Sequence, residues 1–516
     1  MLPESPLTSI ESRLRYLLPA EMYASMWGNP SVDIMINVHK HLRTLQRTLH
    51  DYTSRQIALN KLKPGDVKTE WQHGTMMFTD LAGFTKLMEA NSSKGREGAE
   101  DLLKQLTKYF STMISVISKS GGELVEFTGD AMLVVFPKSE KNDDGVRAVR
   151  AGLRMQRAMK EFAEIETPSG TVNLQMRIGI HSGRFLTAEI GTPRRMEHVL
   201  FGRDVQQAKL TESRGRNERV NLSKSAYERV ADQFNFEEGS PDYYLVVDDL
   251  SEKALGEYEI TPVGRRMASN VLLTRDKNEV MLQIIELLDS IEPMASYIPS
   301  PVLSLLVESA ADRKIPPDFP QPTIMFVNFI GLPESADRAL PGEEIKLAHS
   351  FSRAFSLINA AVESRGGVLK KVTYHLAGSD IVIYFGVPNA HTNDELRAAS
   401  AAIAIREVIK NLSLKAPTIG GIQPEIYCQI GINAGPAFVA EIGEPRGRRE
   451  YNVLGDTVNT AARLMNRAQK NQIIISERVK KAIEAKYKCM SIGEVSLKGK
   501  HAPMQLYELM QEEDKK

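Results

Sequence analysis

Two aspartates of this chain lie in settings that suit them to hold divalent cations. Asp80 follows the apolar run Thr75–Phe78, which predicts a carboxylate near the end of a buried strand, ahead of a helix that begins near Lys86. Asp130 falls in a Thr-Gly-Asp turn between two apolar stretches, which predicts the tip of a β-hairpin. If this hairpin pairs beside the first strand, the two carboxylates face one pocket and can share two hard cations.

The residues that follow Asp80 could bind phosphate. Gly83, Phe84 and Thr85 form a predicted turn into the helix, and backbone N–H groups at the start of a helix attract anions. A carboxylate beside such N–H groups is what a metal–polyphosphate site needs. The alternative role for Asp80 is a helix N-cap, and the alternative for Asp130 is an ordinary turn residue.

The composition excludes several classes of protein. The 516 residues are enough for about two to three domains, and Lys plus Arg equals Asp plus Glu at 65 each, so no net charge favours nucleic acid or an anionic membrane. The two cysteines, Cys428 and Cys489, cannot form a disulfide framework, which predicts a reducing compartment. We find no apolar run near the roughly eighteen residues of a membrane span and no secretory signal, and we expect a cytoplasmic protein.

The elements that must position these residues fall into four segments. These are an N-terminal helical region at 1–70, a first unit at 71–265, a linker at 266–320 with a helix near 279–291, and a second unit at 321–510. Helices and strands alternate within each unit, which predicts an α+β fold with a mixed or antiparallel sheet. In the first unit we expect one strand to end in a turn near Gly183, with another turn at 189–193.

The pattern of the first unit returns in the second at an offset of about 245 to 253 residues. The matching stretches begin at Thr75 and Thr323, Gly121 and Gly366, Arg177 and Gln429, Glu189 and Glu441, and Leu200 and Val453. The chain therefore contains two copies of one fold.

The two copies differ at the residues that could do chemistry. Where the first unit has Asp80 and Asp130, the second has Asn328 and Ser379, and its Asp380 is shifted by one position along the strand. Such a shift should point the side chain to the other face of the sheet. The second unit has therefore lost the arrangement of two carboxylates.

The opposite loss occurs further along the chain. Asn459 and Arg463 of the second unit are four residues apart, so on a helix they project from one face. Their counterparts in the first unit are Gln206 and Leu210. A single composite site between the two units explains both losses, whereas the alternative is neutral drift of two structural repeats.

These motifs resemble those of the class III nucleotidyl cyclases, namely the stretch from Phe78 to Thr85, the Gly129-Asp130 hairpin and the Asn459–Arg463 helix. The tandem arrangement is most similar to the soluble, bicarbonate-responsive type of adenylyl cyclase. The resemblance implies two ferredoxin-like βαββαβ cyclase domains in an intramolecular pseudo-heterodimer, with N-terminal helices. A monomer suffices for one such site, and a homodimer through the N-terminal helices is an open alternative.

The resemblance implies an adenylate cyclase that converts ATP to 3′,5′-cyclic AMP and pyrophosphate with two Mg²⁺ or Mn²⁺ ions, and it implies neither a nucleic-acid partner nor a membrane span. In this mechanism the ribose 3′-hydroxyl attacks the α-phosphate. Arg463 would stabilise the charge that builds on the α-phosphate, and Asn459 would orient the ribose. The implied roles are metal binding by Asp80, Asp130 and Leu81, nucleotide binding by Gly83, Phe84, Thr85, Asn452 and Lys498, and catalysis by Asn459 and Arg463.

The positions that read the base depart from the family pattern. Ala377 stands where the family has a lysine, and Lys370 or Lys371 could substitute, although residues on a strand are as often solvent-facing. Asn452 stands at the second position, where an amide can accept from the adenine amino group or donate to the guanine carbonyl. ATP is the expected substrate because the acidic hairpin residue of guanylyl cyclases is also missing.

The family's regulatory anion pocket is also altered in this sequence. Its two positions fall on Glu126 and Lys209, so we expect a degenerate second pocket in which these two side chains pair. Two alternatives to the adenylate cyclase stay open. One is a catalytically weak, nucleotide-binding regulatory protein, which Ala377 favours, and the other is a guanylate cyclase.

Overall fold

The computed structural model covers both units, the N-terminal helices and most of the linker. The residues that it describes are 6–59, 62–167, 169–256, 258, 275–310, 314–445, 447–497 and 502–510. Lys498, which the sequence assigns to nucleotide binding, lies outside these ranges.

The first unit consists of helices packed around one long sheet, with a separate pair of short strands. Its strands are β1 Lys68–Ala82, β2 Glu123–Thr128, β3 Ala131–Pro137, β4 Ile165–Thr167, β5 Gly170–Val172, β6 Gln175–Thr192, β7 Arg195–Phe201, β8 Val220–Ser223, β9 Phe236–Glu238 and β10 Tyr243–Val246. Its helices are α6 Phe84–Ser92, α7 Gly95–Lys119, α8 Asp144–Ala158, α9 Arg203–Ser213, α10 Lys224–Tyr227 and α11 Glu252–Leu255, with a 3₁₀ turn at Met159–Phe162.

The second unit repeats this order of elements. Its strands are β11 Thr323–Ile330, β12 Val368–Tyr374, β13 Ser379–Phe385, β14 Tyr427–Ala434, β15 Phe438–Gly443, β16 Arg449–Leu454, β17 Ile473–Ser476, β18 Cys489–Val495 and β19 Met504–Leu509. Its helices are α14 Glu344–Glu363, α15 Asp394–Ser413, α16 Asp456–Arg467 and α17 Glu477–Ile483, with a 3₁₀ helix at Pro333–Arg338.

The sheet topology of both units is ferredoxin-like. The first sheet runs β2-β3-β1-β6 with antiparallel neighbours and continues into β8, β10 and β9, and the second runs β12-β13-β11-β14 and continues into β17, β19 and β18. The apolar faces of long helices such as α7 and α14 cover these sheets. The predicted α+β fold with two βαββαβ domains is confirmed.

The predicted turn near Gly183 is wrong. Strand β6 continues without a break from Gln175 to Thr192 because β1 begins at Lys68 and pairs with it along its whole length, Lys68 opposite Glu189 and Ala82 opposite Gln175. The chain turns only after Thr192. In the second unit β14 does end near the equivalent position, where Pro436 lacks the N–H group that a sheet ladder needs.

The two units exchange hairpin arms. The arm formed by the end of β6 and by β7 contributes Leu186, Ala188, Ile190, Val199 and Phe201 to the core of the second unit. The arm formed by β15 and β16 contributes Phe438, Ala440, Ile442 and Leu454 to the core of the first. Each core is therefore completed by the other unit, and the two units form one pseudosymmetric body.

Seven helices precede the units among the described residues. They are α1 Pro6–Ser9, α2 Glu11–Leu14, α3 Ala20–Gly28, α4 Val32–Tyr52 and α5 Arg55–Leu59 in the N-terminal region, and α12 Lys277–Ala295 and α13 Ser300–Glu308 in the linker. Helices α4 and α12 share an apolar core, and Arg13 of α2 binds Glu292 of α12 at 2.7 Å. No helix in the described ranges is long and apolar enough to cross a bilayer.

Candidate active site

The two predicted metal carboxylates lie at one end of the first unit's sheet. Asp80 is near the end of β1, and Asp130 is in the turn between β2 and β3. They are neighbours because β1 pairs with β3, which places Thr79 opposite Met132. Burial raises the pKa of Asp130 to about 7, and the negative charge of Asp80 adds to this shift. The structure thus brings together two carboxylates that repel each other.

Asp80 already has a cationic partner that the sequence reasoning missed. Arg177 stands opposite Asp80 in the register of β6, and its guanidinium donates a hydrogen bond to the Asp80 carboxylate. The same guanidinium lies 3.2 Å from Glu212 Oε1, and Lys209 Nζ lies 2.9 Å from Glu212 Oε2. A long-range sheet register created this cluster, and the spacing of the residues along the chain carries no signal of it.

This donor set fits a divalent ion. Asp80 and Asp130 supply carboxylate oxygens at one sheet end, and a bound cation would offset both the burial and the repulsion by Asp80 that raise the pKa of Asp130. The side chain of Leu81 is buried in the core, so only its backbone could contribute to such a site. The described ranges hold no group of three or more His, Cys, Asp or Glu side chains that could bind a metal, so the remaining ligands would be water or phosphate.

The predicted phosphate loop forms a tight turn into α6. Gly83 has a φ of 94°, and a Cβ at this position would lie 2.4 Å from the Asn173 carbonyl oxygen, so only glycine fits. The helix begins at Phe84 rather than near Lys86, because the Gly83 turn directly precedes its first residue. Among the described residues no side chain caps this helix start, which leaves its backbone N–H groups available to an anion.

Asn459 and Arg463 lie on helix α16 of the second unit, as the spacing predicts. Asn459 is exposed, Arg463 is half-buried, and Arg463 Nη1 lies 3.8 Å from Asp456 Oδ1. The start of α16 touches the first unit, since a Cβ on Gly455 would lie 2.5 Å from the sulfur of Met88 in α6. The helix that carries Asn459 and Arg463 therefore begins beside the helix of the predicted phosphate loop.

The predicted base-reading residues have different environments. Asn452 is buried in β16, its Oδ1 accepts a hydrogen bond from the Val453 N–H at 3.0 Å, and its Nδ2 has no partner among the described residues. Of the two alternatives for Lys370 and Lys371, the solvent-facing one does not hold, because both side chains are buried and Lys371 contacts Glu126 of the first unit. Ala377 lies in the β12–β13 turn and offers no polar side chain.

The predicted pairing of Glu126 with Lys209 is also wrong. Glu126 binds Lys371 of the second unit at 3.1 Å, whereas Lys209 binds Glu212 on its own helix. The reason is the register of β12: Lys371 stands opposite Val382 as Glu126 stands opposite Leu133, so Lys371 and Glu126 are equivalent residues of the two units and meet near their pseudo-twofold axis.

Comparisons with known proteins agree with this geometry. The family described as adenylate and guanylate cyclase catalytic domain matches residues 67–246 and 317–511. Adenylate cyclase type 10 of Oryctolagus cuniculus is 23% identical over 431 residues, which cover 79% of this chain and 24% of the relative, and the Homo sapiens protein of that name is 24% identical over 409 residues, 76% of this chain and 24% of the relative. The chain spans about a quarter of the length of these relatives.

A solved structure extends the likeness over both units. A class III adenylyl cyclase-like ATP-binding protein from Pseudomonas aeruginosa matches with a TM-score of 0.54 and 14% identity, covering 86% of this chain and 92% of that one. This likeness concerns the fold and includes the tandem arrangement.

Proposed function

Because the chain belongs to the adenylate and guanylate cyclase catalytic domain family, we propose that it is an adenylate cyclase with one composite site between its two units. The observation that carries the proposal is the division of the site. Asp80 and Asp130 lie on the first unit and Asn459 and Arg463 on the second, and α16 of the second unit begins beside α6 of the first. Neither unit holds a complete set alone.

In the proposed reaction the ribose 3′-oxygen of ATP bonds to the α-phosphorus and the bond to the bridging oxygen of pyrophosphate breaks. The proton of the hydroxyl leaves to solvent. Two Mg²⁺ or Mn²⁺ ions held by Asp80 and Asp130 would lower the pKa of the hydroxyl and neutralise the polyphosphate. Arg463 would stabilise the charge that develops on the α-phosphate, and Asn459 would orient the ribose.

Other residues would hold the polyphosphate. The N–H groups at Gly83, Phe84 and Thr85 would donate hydrogen bonds to phosphate oxygens, because they start a helix that no described side chain caps. Arg177 would be released from Asp80 when a cation binds that carboxylate, and its guanidinium, still beside Glu212, would then turn a donor toward a phosphate. Lys498 is proposed as a further phosphate contact on the family pattern alone.

One observation favours a second substrate. The Oδ1 atom of Asn452 is engaged by the Val453 N–H group, so the amide presents only the donor Nδ2. A donor can bind guanine O6 or adenine N1 but not the adenine amino group. GTP is therefore the second candidate, and it is tested beside ATP.

A third candidate is nucleotide binding without turnover. The similar Pseudomonas aeruginosa structure carries the name of a cyclase-like ATP-binding protein, and Ala377 removes a polar contact with the base. The intact set of Asp80, Asp130, Asn459 and Arg463 favours an enzyme, since binding alone does not need all four.

The test is cyclic nucleotide production by the purified chain, with ATP and GTP supplied separately in Mg²⁺ or Mn²⁺. Asp130→Asn should reduce the rate roughly 1,000-fold, because several kcal/mol of charge stabilisation depend on the metal ligands. Ser379→Ala, at the equivalent position of the second unit, is the matched control and should leave the rate within about twofold. Binding of ATP without product in Mn²⁺ would contradict the enzyme and support the binding protein.

A further inference from the structure

Each hairpin arm carries a glutamate and an arginine at equivalent positions. In the first unit these are Glu189, opposite His198 in the β6–β7 ladder, and Arg195 at the start of β7. In the second unit they are Glu441, opposite Tyr451 in the β15–β16 ladder, and Arg448 just before β16. All four side chains are buried or nearly so, although none belongs to the composite site described above.

The arm of the first unit forms hydrogen bonds with Tyr297 of the linker. The Tyr297 hydroxyl donates to Glu189 Oε2 at 2.7 Å, and Arg195 Nη1 donates to the Tyr297 carbonyl oxygen at 3.3 Å. The neighbouring backbone adds a third bond, from the Met196 N–H to the Ser296 carbonyl oxygen at 2.7 Å.

The arm of the second unit forms the same hydrogen bonds with Tyr52, the last residue of α4. The Tyr52 hydroxyl donates to Glu441 Oε1 at 2.6 Å, and Arg448 Nη1 donates to the Tyr52 carbonyl oxygen at 2.6 Å. The side chain of Tyr52 is 4% exposed. The same two bonds therefore occur twice, once in each unit, and we call each of them a tyrosine clamp.

The two clamps are crossed with respect to the order of the chain. Tyr52 precedes the first unit but is held by the second, and Tyr297 precedes the second unit but is held by the first. The segments that carry them are one body, because α4 packs against α12 and Arg13 of α2 binds Asp289 and Glu292 of α12, each at 2.7 Å. A single helical body therefore holds both arms.

A cavity of about 80 Å³ lies between the clamps, and both tyrosines line it. Lys371 of the second unit also lines it, and its Nζ lies 3.1 Å from Glu126 of the first unit and 3.3 Å from Glu450 of its own. The clamps thus flank a buried ion pair between the two units. A shift of the helical body would therefore alter the interface between the two units.

We propose that Tyr52 and Tyr297 are positioning residues through which the helical body sets the alignment of the two units at the composite site. The proposal rests on the proposed cyclase function, because it assigns the clamps an effect on the rate. The physical reason is that Asp130 and Arg463 lie on different units, so the rate depends on how rigidly the units are held.

The test is the double variant Tyr52→Phe and Tyr297→Phe in the full chain, which removes both hydroxyl bonds and keeps both rings. Glu189 retains a bond with His198 at 2.7 Å and Glu441 one with the Ile315 N–H at 2.8 Å, so the fold should survive. We expect kcat to fall at least about fivefold, since two bonds to charged groups are lost, with KM for the nucleotide within about twofold. Tyr16→Phe is the matched control, because the Tyr16 hydroxyl donates to Glu292 at 3.3 Å inside the helical body and not to the glutamate of either arm.

A second measurement separates this proposal from the proposed function. Hydrogen exchange of the arm segments 185–201 and 438–454 should speed up at least about threefold in the double variant and not in Tyr16→Phe. Unchanged kcat, or unchanged exchange in both arms, would overturn the proposal. If the unaltered chain makes no cyclic nucleotide, the proposed function fails by itself and the exchange result alone decides whether the clamps hold the arms.

Discussion

The composite site has a pseudosymmetric counterpart in the same molecule, and the two pockets differ in what fills them. Phe78 of β1 and Phe326 of β11 are equivalent residues, but Phe78 is 0% exposed whereas Phe326 is only half-buried. The cause is Tyr374, the last residue of β12 before the turn to β13, which packs edge-on against Phe78 with ring centroids 4.7 Å apart. The short turn at Gly129 and Asp130 leaves Phe326 without such a cover.

Carboxylates of the second unit occupy the anion positions of this second pocket. Glu334 Oε2 accepts from the Gly331 N–H at 2.8 Å, and Gly331 is the equivalent of Gly83. Asp337 Oδ2 accepts from the Arg203 N–H at 2.7 Å, at the start of α9. In the composite site the corresponding start of α6, at Gly83, has no side-chain cap among the described residues.

The difference between the two pockets explains why a fold that is present twice would provide a single site. The second pocket is closed by its own aromatic ring and carboxylates, so it needs neither a metal nor an incoming phosphate to satisfy its backbone donors. The composite pocket leaves the start of α6 without a side-chain cap and gathers repelling carboxylates. The composite pocket is thus distinguished as the candidate site by its uncapped helix start and its buried carboxylates, whereas the second pocket is already filled by side chains.

The largest effect that would test this contrast is expected from Arg463→Ala. Removing the guanidinium should lower kcat roughly 100- to 1,000-fold, because a donor aimed at developing charge is lost. Leu210→Ala, at the equivalent position of α9, should leave kcat within about twofold. Steady-state kinetics of both variants would check this, and equal losses in the two would mean that both pockets take part.

Metal binding should also separate the two pockets. Mn²⁺ at a hundred times its Kd should stabilise the chain by about 2.7 kcal/mol. Asp130→Asn should abolish this gain, while Asp380→Asn should keep it, because Asp380 has Asn328 rather than a second carboxylate opposite it in the sheet. Thermal unfolding with and without Mn²⁺ measures both, and a gain that survives in Asp130→Asn would move the ion elsewhere.

Asp380 should make the folded chain less stable as the pH rises. Burial raises its pKa from 3.8 to about 6, against the opposing influence of His375. Between about pH 4 and pH 6 the folded state holds a proton that the unfolded state releases, so stability falls as pH rises through this window. Asp380→Asn should remove this fall and gain on the order of 2 kcal/mol at pH 7.5. Denaturant titrations at pH 5 and pH 7.5 would show it, and an equal gain at both values would contradict it.

The sequence was sufficient for the fold and for the general location of the candidate site. The offset repeat predicts two copies, the Thr-Gly-Asp turn predicts the hairpin tip at Asp130, and the four-residue spacing of Asn459 and Arg463 predicts one helix face, all of which the structure shows. These features are local or periodic, so a single sequence carries them. Membership of the cyclase family, inferred from the same motifs, is confirmed.

The errors concern pairings between distant parts of the chain. The arginine opposite Asp80, the burial of Lys370 and Lys371, and the bond from Lys371 to Glu126 all depend on which strands lie side by side. The missed continuation of β6 has the same origin, since β1 on one side and β7 on the other pair with the backbone beyond Gly183. The local pattern of residues does not encode which residues of two distant strands stand opposite each other.

Asp337→Ala should give the smallest effect and the sharpest test of the carboxylates in the second pocket. The substitution removes the acceptor for the Arg203 N–H at the start of α9, and losing such a cap costs roughly 1 kcal/mol. Because α9 belongs to the first unit and Asp337 to the second, the loss should appear in the unfolding of the whole chain rather than of one unit. The cyclase rate should stay within about twofold, since no residue of the composite site is touched. Denaturant unfolding beside the rate assay checks both, and a rate that falls with the stability would show that the closed pocket takes part in the reaction.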